Sequence, residues 1–404
     1  MVIFSIVAAA SLFAFKSLID VAGNLNETAS YSEIEMSVVV PTNSSISDVT
    51  ELSSVQAPTG ADGSNIEALL SQIKSDKGVN LTTDTVDSYQ AAYENLINGS
   101  SQAMVLNSAY SSLLELSYDN YESNLKTIYT YKVKKNISND VSSSNKNVFN
   151  IYISGIDTYG SISTVSRSDV NIILTVNMDT HKILMTSTPR DSYVQIPDGG
   201  ANQYDKLTHA GIYGVETSEK TLENLYGIDI DYYARVNFTS FMNLIDAIGG
   251  VTVYNDQAFT SSAGDSFEAG NINLNSDEAL GFVRERYSLD NGDYDRGKNQ
   301  LKVIQAIINK LTSFSSISNY SSIMSTLQDS VQTDMPLDTM MDLANTQLDS
   351  GKKFTITSQE VTGTGSTGEL TSYAMPTASL YMIQLDDASV SSASQAIKDV
   401  MEGK

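Results

Sequence analysis

The sequence predicts an α/β protein, a layered α-β-α sandwich with a mixed central sheet that follows a smaller α/β unit. Apolar strand patterns and amphipathic helix patterns alternate along most of the 404 residues, and this order favours layered elements over separate all-α and all-β parts. A run rich in Ser, Asn and Lys at residues 136–147 divides the alternation into two series. We therefore expect a first unit over residues 25–135, a linker over 136–147 and a larger unit over 148–404.

The N-terminal segment is strongly apolar. Val2–Phe15 contains 14 residues without a charge. This run is shorter than the roughly 18 residues of a spanning helix, and it lacks the basic start of a signal peptide. We interpret residues 1–24 as the end of a transmembrane helix, and we expect the chain from residue 25 onward to lie outside the cell. A buried core helix is the alternative.

The first unit shows strand and helix patterns but few reactive side chains. The predicted strands are Glu35–Pro41, Ser101–Leu106 and Leu125–Val133, and the predicted helices are Asn65–Lys74, Asp87–Ile97 and Ala109–Leu116. The second helix is followed by Asn98-Gly99, which is typical of a helix C-terminus. Because the unit contains no arginine, histidine or cysteine, we expect no catalytic constellation in it.

The larger unit begins with apolar strands and continues with amphipathic helices. The predicted strands are Asn147–Ile156, Asp169–Met178, His181–Ser187, Tyr232–Asn237 and one after Gly249-Gly250, and Phe354–Thr357 and Leu380–Leu385 could close the sheet. The predicted helices are Ser218–Tyr226, Thr239–Ile248, Asp277–Val283, Gly297–Leu311, Leu337–Leu348 and Ser391–Met401. Asp179-Thr180 joins the second and third strands, which are therefore expected to pair as a hairpin.

The composition excludes several classes of function. The chain has 48 acidic and 24 basic residues, a formal net charge of −24. Nucleic acid is a poor partner for such a chain, because affinity for it rests on a basic surface. The absence of cysteine excludes disulfides, thiolate metal sites and cysteine nucleophiles. The sequence also lacks a P-loop, a Gly-x-Gly-x-x-Gly run and a Gly-x-Ser-x-Gly elbow, which disfavours nucleotide-dependent chemistry and serine hydrolysis.

Arginine is confined to one part of the chain. All six arginines lie between Arg167 and Arg296, and every other basic residue apart from histidine is lysine. Arginine presents a planar fork of donors suited to phosphate or carboxylate, whereas lysine is a hydrated point charge common on surfaces. This distribution indicates that the region 167–296 uses its arginines to bind an anion.

The spacing within 284–300 predicts a cluster of cations. Arg284 and Arg286 would point to one side of an extended segment, and Arg296 and Gln300 would share one face of a helix. We expect a bend between the two parts to bring these four side chains together. The alternative is a structural network in which nearby carboxylates neutralise the arginines: Glu285, Asp290, Asp293 and Asp295.

Other candidate residues lie at junctions between strands and loops. Asp157 and Asp169 could hold magnesium, which is usually bound by one or two carboxylates with phosphate and water, and we expect them to share one ion. Arg190 follows the third strand, and Lys206 lies in a polar loop with His209. For Arg235, within a strand, a cross-strand ion pair and a ligand contact remain equal alternatives. We interpret His181, at the hairpin turn, as incidental.

Several of these motifs, taken in order, resemble the LytR-CpsA-Psr family over residues 147–315. The motifs are Asp157, Ser166-Arg167-Ser168-Asp169, Pro189-Arg190-Asp191, Val236-Asn237-Phe238 with Phe241, the run Leu244–Val251, Arg284-Glu285-Arg286, and Asp295-Arg296-Gly297 through Gln300. The preceding unit resembles the accessory domain of the capsule-associated members. The family consists of membrane-anchored extracellular enzymes that transfer phosphate-linked glycopolymers from a polyprenyl pyrophosphate carrier to peptidoglycan.

The resemblance implies a role for each matching residue. Asp157 and Asp169 would bind Mg²⁺. The pyrophosphate of the polyprenyl lipid would be bound by Arg167, Arg190, Arg284, Arg286, Arg296 and Gln300, with Lys206 nearby. The polyprenyl tail would lie in an apolar cavity lined partly by Phe238, Phe241 and Leu244, although helical spacing alone would place these three in an ordinary core.

The expected reaction is phosphoryl transfer by positioning and electrostatics. A sugar hydroxyl of peptidoglycan would attack the phosphorus that carries the polymer, a capsular polysaccharide or a wall teichoic acid, and expel polyprenyl monophosphate. Asp169 and Asp191 remain possible general bases. A polyprenyl-phosphate binding module and a polyprenyl pyrophosphatase are the two alternative functions.

Overall fold

The structure, a computed structural model, describes residues 30–137, 147–156, 162–313 and 331–404. The predicted transmembrane end at residues 1–24, most of the predicted linker and Asp157 lie outside the described residues. Within the described ranges, no helix combines the length and the apolar character needed to cross a membrane.

The N-terminal unit, residues 30–137, is a mixed five-stranded sheet with three helices. Its strands are β1 (Tyr31–Pro41), β2 (Ser54–Ala57), β3 (Thr82–Thr85), β4 (Met104–Asn107) and β5 (Leu125–Asn136), and its helices are α1 (Thr59–Lys77), α2 (Tyr89–Ile97) and α3 (Ser111–Ser117). The strand order is β3-β2-β4-β1-β5. Strand β1 pairs antiparallel with both β4 and β5, and its apolar residues Met36, Val38 and Val40 are fully buried.

The C-terminal unit, residues 147–404, contains most of the regular structure. Its strands are β6 (Val148–Ile156), β7 (Ser168–Asn177), β8 (Lys182–Ser187), β9 (Tyr193–Ile196), β10 (Gln203–Lys206), β11 (Tyr232–Val236), β12 (Val251–Asn255), β13 (Phe259–Thr260), β14 (Ser266–Phe267), β15 (Gly270–Leu274), β16 (Val331–Thr333), β17 (Thr355–Glu360), β18 (Gly363–Thr367) and β19 (Tyr381–Leu385). Its helices are α4 (Leu207–Ala210), α5 (Val215–Tyr226), α6 (Phe238–Ala247), α7 (Ser276–Arg284), α8 (Asp293–Thr312), α9 (Leu337–Ser350) and α10 (Asp387–Met401).

A six-stranded sheet in the order β16-β11-β6-β7-β8-β17 forms the centre of this unit. The pairs β11·β6 and β8·β17 are parallel, whereas β16·β11, β6·β7 and β7·β8 are antiparallel. The prediction of a mixed α/β fold is therefore confirmed, as is the hairpin of β7 and β8. Strand β17 joins the sheet edge in the region where the sequence predicts a closing strand.

Helices cover both faces of the sheet. On one face, Ile173 and Leu184 pack with Leu222 of α5 and Ile397 of α10. On the other face, the neighbouring residues of the same strands pack against α8 and α9: Ile172, Leu174, Ile183 and Met185. This alternation follows from the period of two in a strand, which sends successive side chains to opposite faces. Helices α6 and α7 pack further out, against α8.

The expectation that Leu380–Leu385 also closes the central sheet is wrong. Strand β19 pairs antiparallel with β18 in a separate two-stranded sheet. The amide N–H of Ile383 donates to the Asp191 carbonyl oxygen at 2.8 Å. That bond and a bridge between Ser192 and Ile383 place β19 beside the loop that follows β8, so it does not lie beside β17.

The two units share a continuous hydrophobic core. Val165, Ile212 and Met382 of the C-terminal unit belong to the same buried cluster as the apolar residues of β1. The backbone of Glu33 also exchanges hydrogen bonds of 3.0 and 3.2 Å with Ser163 and Val165. The N-terminal unit is therefore packed directly against the segments 162–165 and 374–382.

Candidate active site

One edge of the central sheet gathers the chemically distinctive residues. Strands β6, β8, β11 and β17 end at this edge and β7 begins there, as the pairs Ile156–Ser168 and Ser187–Glu360 show. The loops that leave these strands carry polar side chains to a common place. We use the name cationic cluster for Arg167, Arg190, Lys206 and Arg296. Of these, Arg167, Lys206 and Arg296 are buried.

Asp169, the second residue of β7, links two loops at this edge. Its Oδ2 accepts a hydrogen bond from Arg190 Nη1 at 2.5 Å, and its Oδ1 accepts one from Thr208 Oγ1 at 2.9 Å. The side chain of Arg190 is only 10% exposed. Asp169 therefore fixes Arg190 and the start of α4 relative to the central sheet.

Asp191 pairs with Lys206. Lys206 Nζ lies 2.6 Å from Asp191 Oδ1, and Arg190 Nε lies 3.5 Å from the same oxygen. Burial opposes ionisation of Asp191, but Lys206 and Arg190 hold its pKa below the ordinary value. Burial lowers the pKa of Lys206, and the nearby Arg190 and Arg167 lower it further, against the opposing effect of Asp191. The pair is thus a carboxylate and an amine held close together out of water.

Helix α8 brings the fourth cation. The helix starts after Gly292, whose φ of 56° is left-handed, and Asp293 in its first turn forms an ion pair with Arg296. Acidic residues at a helix N-terminus are favoured by the helix dipole. Burial lowers the pKa of Arg296, and Arg190 and Arg286 contribute in the same direction, so other guanidiniums lie within electrostatic reach of it.

The prediction of an extended segment at 284–286 is wrong in its first half. Arg284 is the last residue of helix α7, and only Glu285 leaves the helix in an extended conformation. A capping box formed by Asn275 and Glu278 stabilises the start of α7, and a basic residue in its last turn suits the helix dipole. The local sequence is thus consistent with a helix α7 that continues as far as Arg284.

The predicted convergence of four side chains also differs from the structure. The guanidinium of Arg284 stacks on the Phe238 ring at 4.2 Å, and Gln300 Nε2 donates to the Val283 carbonyl oxygen at 3.2 Å. Arg286 stacks on Tyr287, although its charge still affects Arg296 and Asp293. The structure thus places Arg286 within electrostatic reach of the cationic cluster and gives Arg284 and Gln300 other partners.

The alternative, in which nearby carboxylates neutralise the arginines, is supported for one of the four carboxylates, Asp293. Asp293 pairs with Arg296, whereas Glu285 accepts hydrogen bonds from Ser262 and from the Ser288 amide. Asp295 is occupied by different groups again: Asn291, Gln257 and Lys298. Two of the four proposed carboxylates therefore stabilise loops and do not neutralise the arginines.

Arg235 has a structural role. It is buried, and its guanidinium donates to the carbonyl oxygens of Ile162 and Thr164 at 3.1 and 2.7 Å and to Gln332 at 3.2 Å. Neither the cross-strand ion pair nor the ligand contact is therefore needed to explain it. His181, in the hairpin turn, packs against Phe354, which agrees with its interpretation as incidental.

Helix α6 presents half-buried apolar side chains beside the arginines. Phe241 and Leu244 pack against a core formed by α6, α7 and α8, and Phe238 lies beneath Arg284. Their side chains are neither fully buried nor fully exposed. This apolar face of α6 adjoins Arg284, at the place where the sequence predicts a boundary between a lipid tail and its headgroup.

The metal prediction rests on Asp157 and Asp169. Asp157 lies outside the described residues, and among those described no group of three or more His, Asp or Glu side chains is arranged to hold a metal ion. Each oxygen of Asp169 accepts one hydrogen bond and retains a lone pair. Asp169 could therefore supply one of the few protein ligands that Mg²⁺ takes beside phosphate and water.

Three polar residues of this region were missed by sequence reasoning. Thr208 and Asp205 flank the predicted Lys206, so their positions in the sequence could have indicated them. Glu360 ends β17 opposite Ser187, and its carboxylate lies against Gly297, where a Cβ atom would collide with it. No local pattern marks Glu360, because its neighbours at this edge come from distant parts of the chain.

Comparison with known proteins assigns the chain to a family. The model described as the LytR_cpsA_psr family matches residues 108–388, more than half of the chain. The chain therefore belongs to the LytR-CpsA-Psr family, and the predicted family is confirmed. A second model, described as DNA polymerase processivity factor, matches residues 1–106, about a quarter of the chain, and does not by itself assign that segment to a family.

Relatives in this family carry the name of an enzyme. A protein of Oceanobacillus iheyensis named polyisoprenyl-teichoic acid–peptidoglycan teichoic acid transferase TagU is 39% identical over 229 residues, which cover 55% of this chain and 69% of that protein. The protein of the same name from Enterococcus faecalis is 37% identical, over 57% of this chain and 75% of its own length. The prediction of a transferase is confirmed by these names.

A solved structure shows the same fold. The crystal structure of Bacillus subtilis TagV is 25% identical and superposes with a TM-score of 0.54, over 64% of this chain and 98% of that protein. The mixed central sheet with helices on both faces is thus a fold shared with that protein.

We expect the stability of the protein to decrease as pH rises, because of Glu360. Burial raises the pKa of Glu360 from 4.5 to about 8; Lys298 opposes the rise, and Asp293 and Asp295 add to it. Between these two values the folded state binds more protons than the unfolded state, so the free energy of unfolding falls as pH rises from 4.5 to about 8. The slope from this group is at most about 1.4 kcal/mol per pH unit.

Urea unfolding at pH 5 and pH 8 measures this effect. Glu360→Gln should lose less stability between the two pH values than the wild type, because glutamine carries no titrating proton. The exposed Glu268→Gln is the matched control and should keep the wild-type difference. Equal pH dependence in wild type and Glu360→Gln would contradict the assignment.

Proposed function

We propose that this chain transfers a phosphate-linked glycopolymer from a polyprenyl pyrophosphate carrier to peptidoglycan. The observations that carry the proposal are the buried cationic cluster at the sheet edge and the apolar face of α6, which lies beside Arg284 and packs against the helix that carries Arg296. A lipid with a diphosphate headgroup matches this arrangement, because the diphosphate suits the cations and the apolar chain suits the face of α6. The teichoic acid named in the curated relatives makes a teichoic acid the first polymer to test, with a capsular polysaccharide as the alternative.

The cluster suits the charge that develops in phosphoryl transfer. In the proposed step, a peptidoglycan hydroxyl oxygen forms a bond to the phosphorus that carries the polymer. The bond from that phosphorus to the bridging oxygen breaks, and the carrier leaves as polyprenyl monophosphate. Arg190, Arg296 and Lys206 would stabilise charge on the phosphate oxygens, and their positions are fixed before substrate binds by Asp169, Asp293 and Asp191.

Where Asp169 does not bind magnesium, it is the better candidate for receiving the hydroxyl proton. Its side chain is 19% exposed, whereas that of Asp191 is 6% exposed. Asp191 is also held below its ordinary pKa by Lys206 and Arg190, despite burial, which weakens it as a base. Substrate can therefore reach Asp169 more easily.

Magnesium remains a proposal that rests on Asp169, together with Asp157 outside the described residues. When bound, the ion would neutralise phosphate charge beside the arginines. The membrane attachment and the extracellular location are likewise proposals, and they fit a substrate whose carrier is a membrane lipid and whose acceptor is peptidoglycan.

A single product analysis tests the function. Purified protein is incubated with a polyprenyl-pyrophosphate-linked glycopolymer and peptidoglycan oligomers, and the products are separated by mass. We expect polymer joined to the glycan together with polyprenyl monophosphate. Free phosphorylated polymer would identify a pyrophosphatase, and unchanged substrate that remains bound would identify a lipid-binding module. In an EDTA arm we expect transfer to stop and to return with added Mg²⁺; transfer that persists in EDTA would overturn the metal proposal alone.

We expect Arg296→Met to weaken binding of geranyl pyrophosphate by about 10- to 100-fold, because a charge-assisted hydrogen bond is worth about 1.5–3 kcal/mol. Lys298→Met is the matched control on the same helix, since Lys298 is 51% exposed and pairs with Asp295. Isothermal titration measures both affinities, and circular dichroism verifies folding, because Arg296→Met leaves Asp293 without its ion pair. Equal affinities in the two variants would remove Arg296 from the site.

We expect Leu244→Arg to abolish retention of long-chain polyprenyl phosphate while short-chain pyrophosphate analogues still bind. A charge on the apolar face of α6 would oppose burial of the isoprenoid chain. Burial of each methylene-sized group otherwise contributes about 0.8 kcal/mol to the free energy of binding. The control is Leu225→Arg, a half-buried leucine on α5 that packs in another core. If Leu244→Arg lost both ligands or kept both, Leu244 would be ordinary core.

A further inference from the structure

Asp205 is a buried carboxylate that the proposed reaction does not use directly. It is 1% exposed, and four donors surround it. Oδ1 accepts hydrogen bonds from the Lys206 amide at 2.7 Å and from Ser372 Oγ at 2.7 Å, and it lies 2.8 Å from His209 Nδ1. Oδ2 accepts from the Ala374 amide at 2.8 Å. Burial opposes ionisation, but His209, Ser372 and Ala374 together hold the pKa of Asp205 below its ordinary value.

On one side, Asp205 borders the residues that build the candidate active site. Lys206 pairs with Asp191, and Thr208 donates to Asp169. The backbone of the same segment is tied to the loop after β8, since the amides of Leu207 and Thr208 donate to the carbonyl oxygens of Ser192 and Arg190 at 2.8 and 2.9 Å. A small movement of residues 206–208 would therefore move an amine and a hydroxyl of the site.

On the other side, Asp205 holds a segment that belongs to the core of the N-terminal unit. Ser372 and Ala374 begin this segment, which continues through Met375, Leu380 and Met382. These apolar residues are buried in the same cluster as β1 and the helices of the N-terminal unit. Asp205 is thus bonded to a segment whose position depends on how the N-terminal unit packs.

We propose that Asp205 is a positioning residue through which the N-terminal unit holds Lys206 and Thr208 at the cationic cluster. Asp205 acts through its neighbours and does not itself touch substrate. The inference rests on the proposed function for its catalytic consequence, but the structural link can be measured without any reaction. This link gives the N-terminal unit a role in the activity of the C-terminal unit, although the N-terminal unit supplies no arginine or histidine to the site.

Hydrogen–deuterium exchange on the full chain tests the link. In Asp205→Asn one carboxylate oxygen is replaced by an NH₂ group. Because donors face both oxygens of Asp205, at least one of these donors then loses its acceptor. We expect the amides of residues 206–208 to exchange at least about 10-fold faster than in the wild type, with the urea midpoint little changed. Ser372→Ala, which keeps the carboxylate and removes one donor, should show a smaller increase, and Ser372→Thr, which keeps the hydroxyl, should restore protection.

The functional arm measures kcat, KM and geranyl pyrophosphate affinity in the same variants. We expect kcat to fall at least about 10-fold in Asp205→Asn, and the analogue to bind more weakly. Asp62→Asn is the matched control, because Asp62 is also buried and accepts hydrogen bonds from Asn65, Tyr89 and Asn107, within the N-terminal unit alone. It should leave exchange at residues 206–208 unchanged.

Unchanged exchange at residues 206–208 in both Asp205→Asn and Ser372→Ala would overturn the positioning role. The same holds if exchange rises equally across the whole chain, since that would show a general loss of stability. Faster local exchange with unaltered kcat would also overturn it. A wild type that neither binds the analogue nor transfers polymer would instead reject the proposed function, and the exchange data would then decide the structural link by themselves.

Discussion

The structure depends on the need to pair charges that are held out of water. Removing an ion from water costs several kcal/mol unless a partner and further hydrogen bonds offset it. At the sheet edge, Asp169, Asp191 and Asp293 each bind a cation of the cluster, and the three pairs involve β7, the loop after β8, the end of β10 and helix α8. The same pairing that stabilises the fold therefore sets the spacing of the groups proposed to bind phosphate.

This edge contrasts with the rest of the molecule. The chain carries a net charge of −24, so its summed field repels anions at long range. A phosphate ligand is attracted only where the buried cations and a low local dielectric dominate, which is close to the sheet. Attachment of a substrate to a membrane surface would offset the repulsion, since the ligand would then be delivered by diffusion in two dimensions.

Much of the fold was predictable, because strands β6, β7 and β8 and helices α5 and α8 carry clear apolar periodicity. Strands β2 and β3 were missed, since each has four residues and β3, Thr82–Thr85, is entirely polar. The confinement of arginine predicted the location of the site, but not its details. The stacking of Arg284 on Phe238 and the bonds between Asp205 and Ser372 join residues far apart in sequence, and no local pattern encodes them.

The shared hydrophobic core has a consequence for the order in which the chain can fold. Met375, Leu380 and Met382 lie more than 330 residues after β1 in the chain, yet they complete the core that begins with β1. During synthesis from the N-terminus, the first unit emerges with an apolar face that stays partly uncovered until residues 374–382 have been made. Its early strands must therefore wait for a segment that is distant in sequence, and a chaperone that shields apolar surface would act longest on this face.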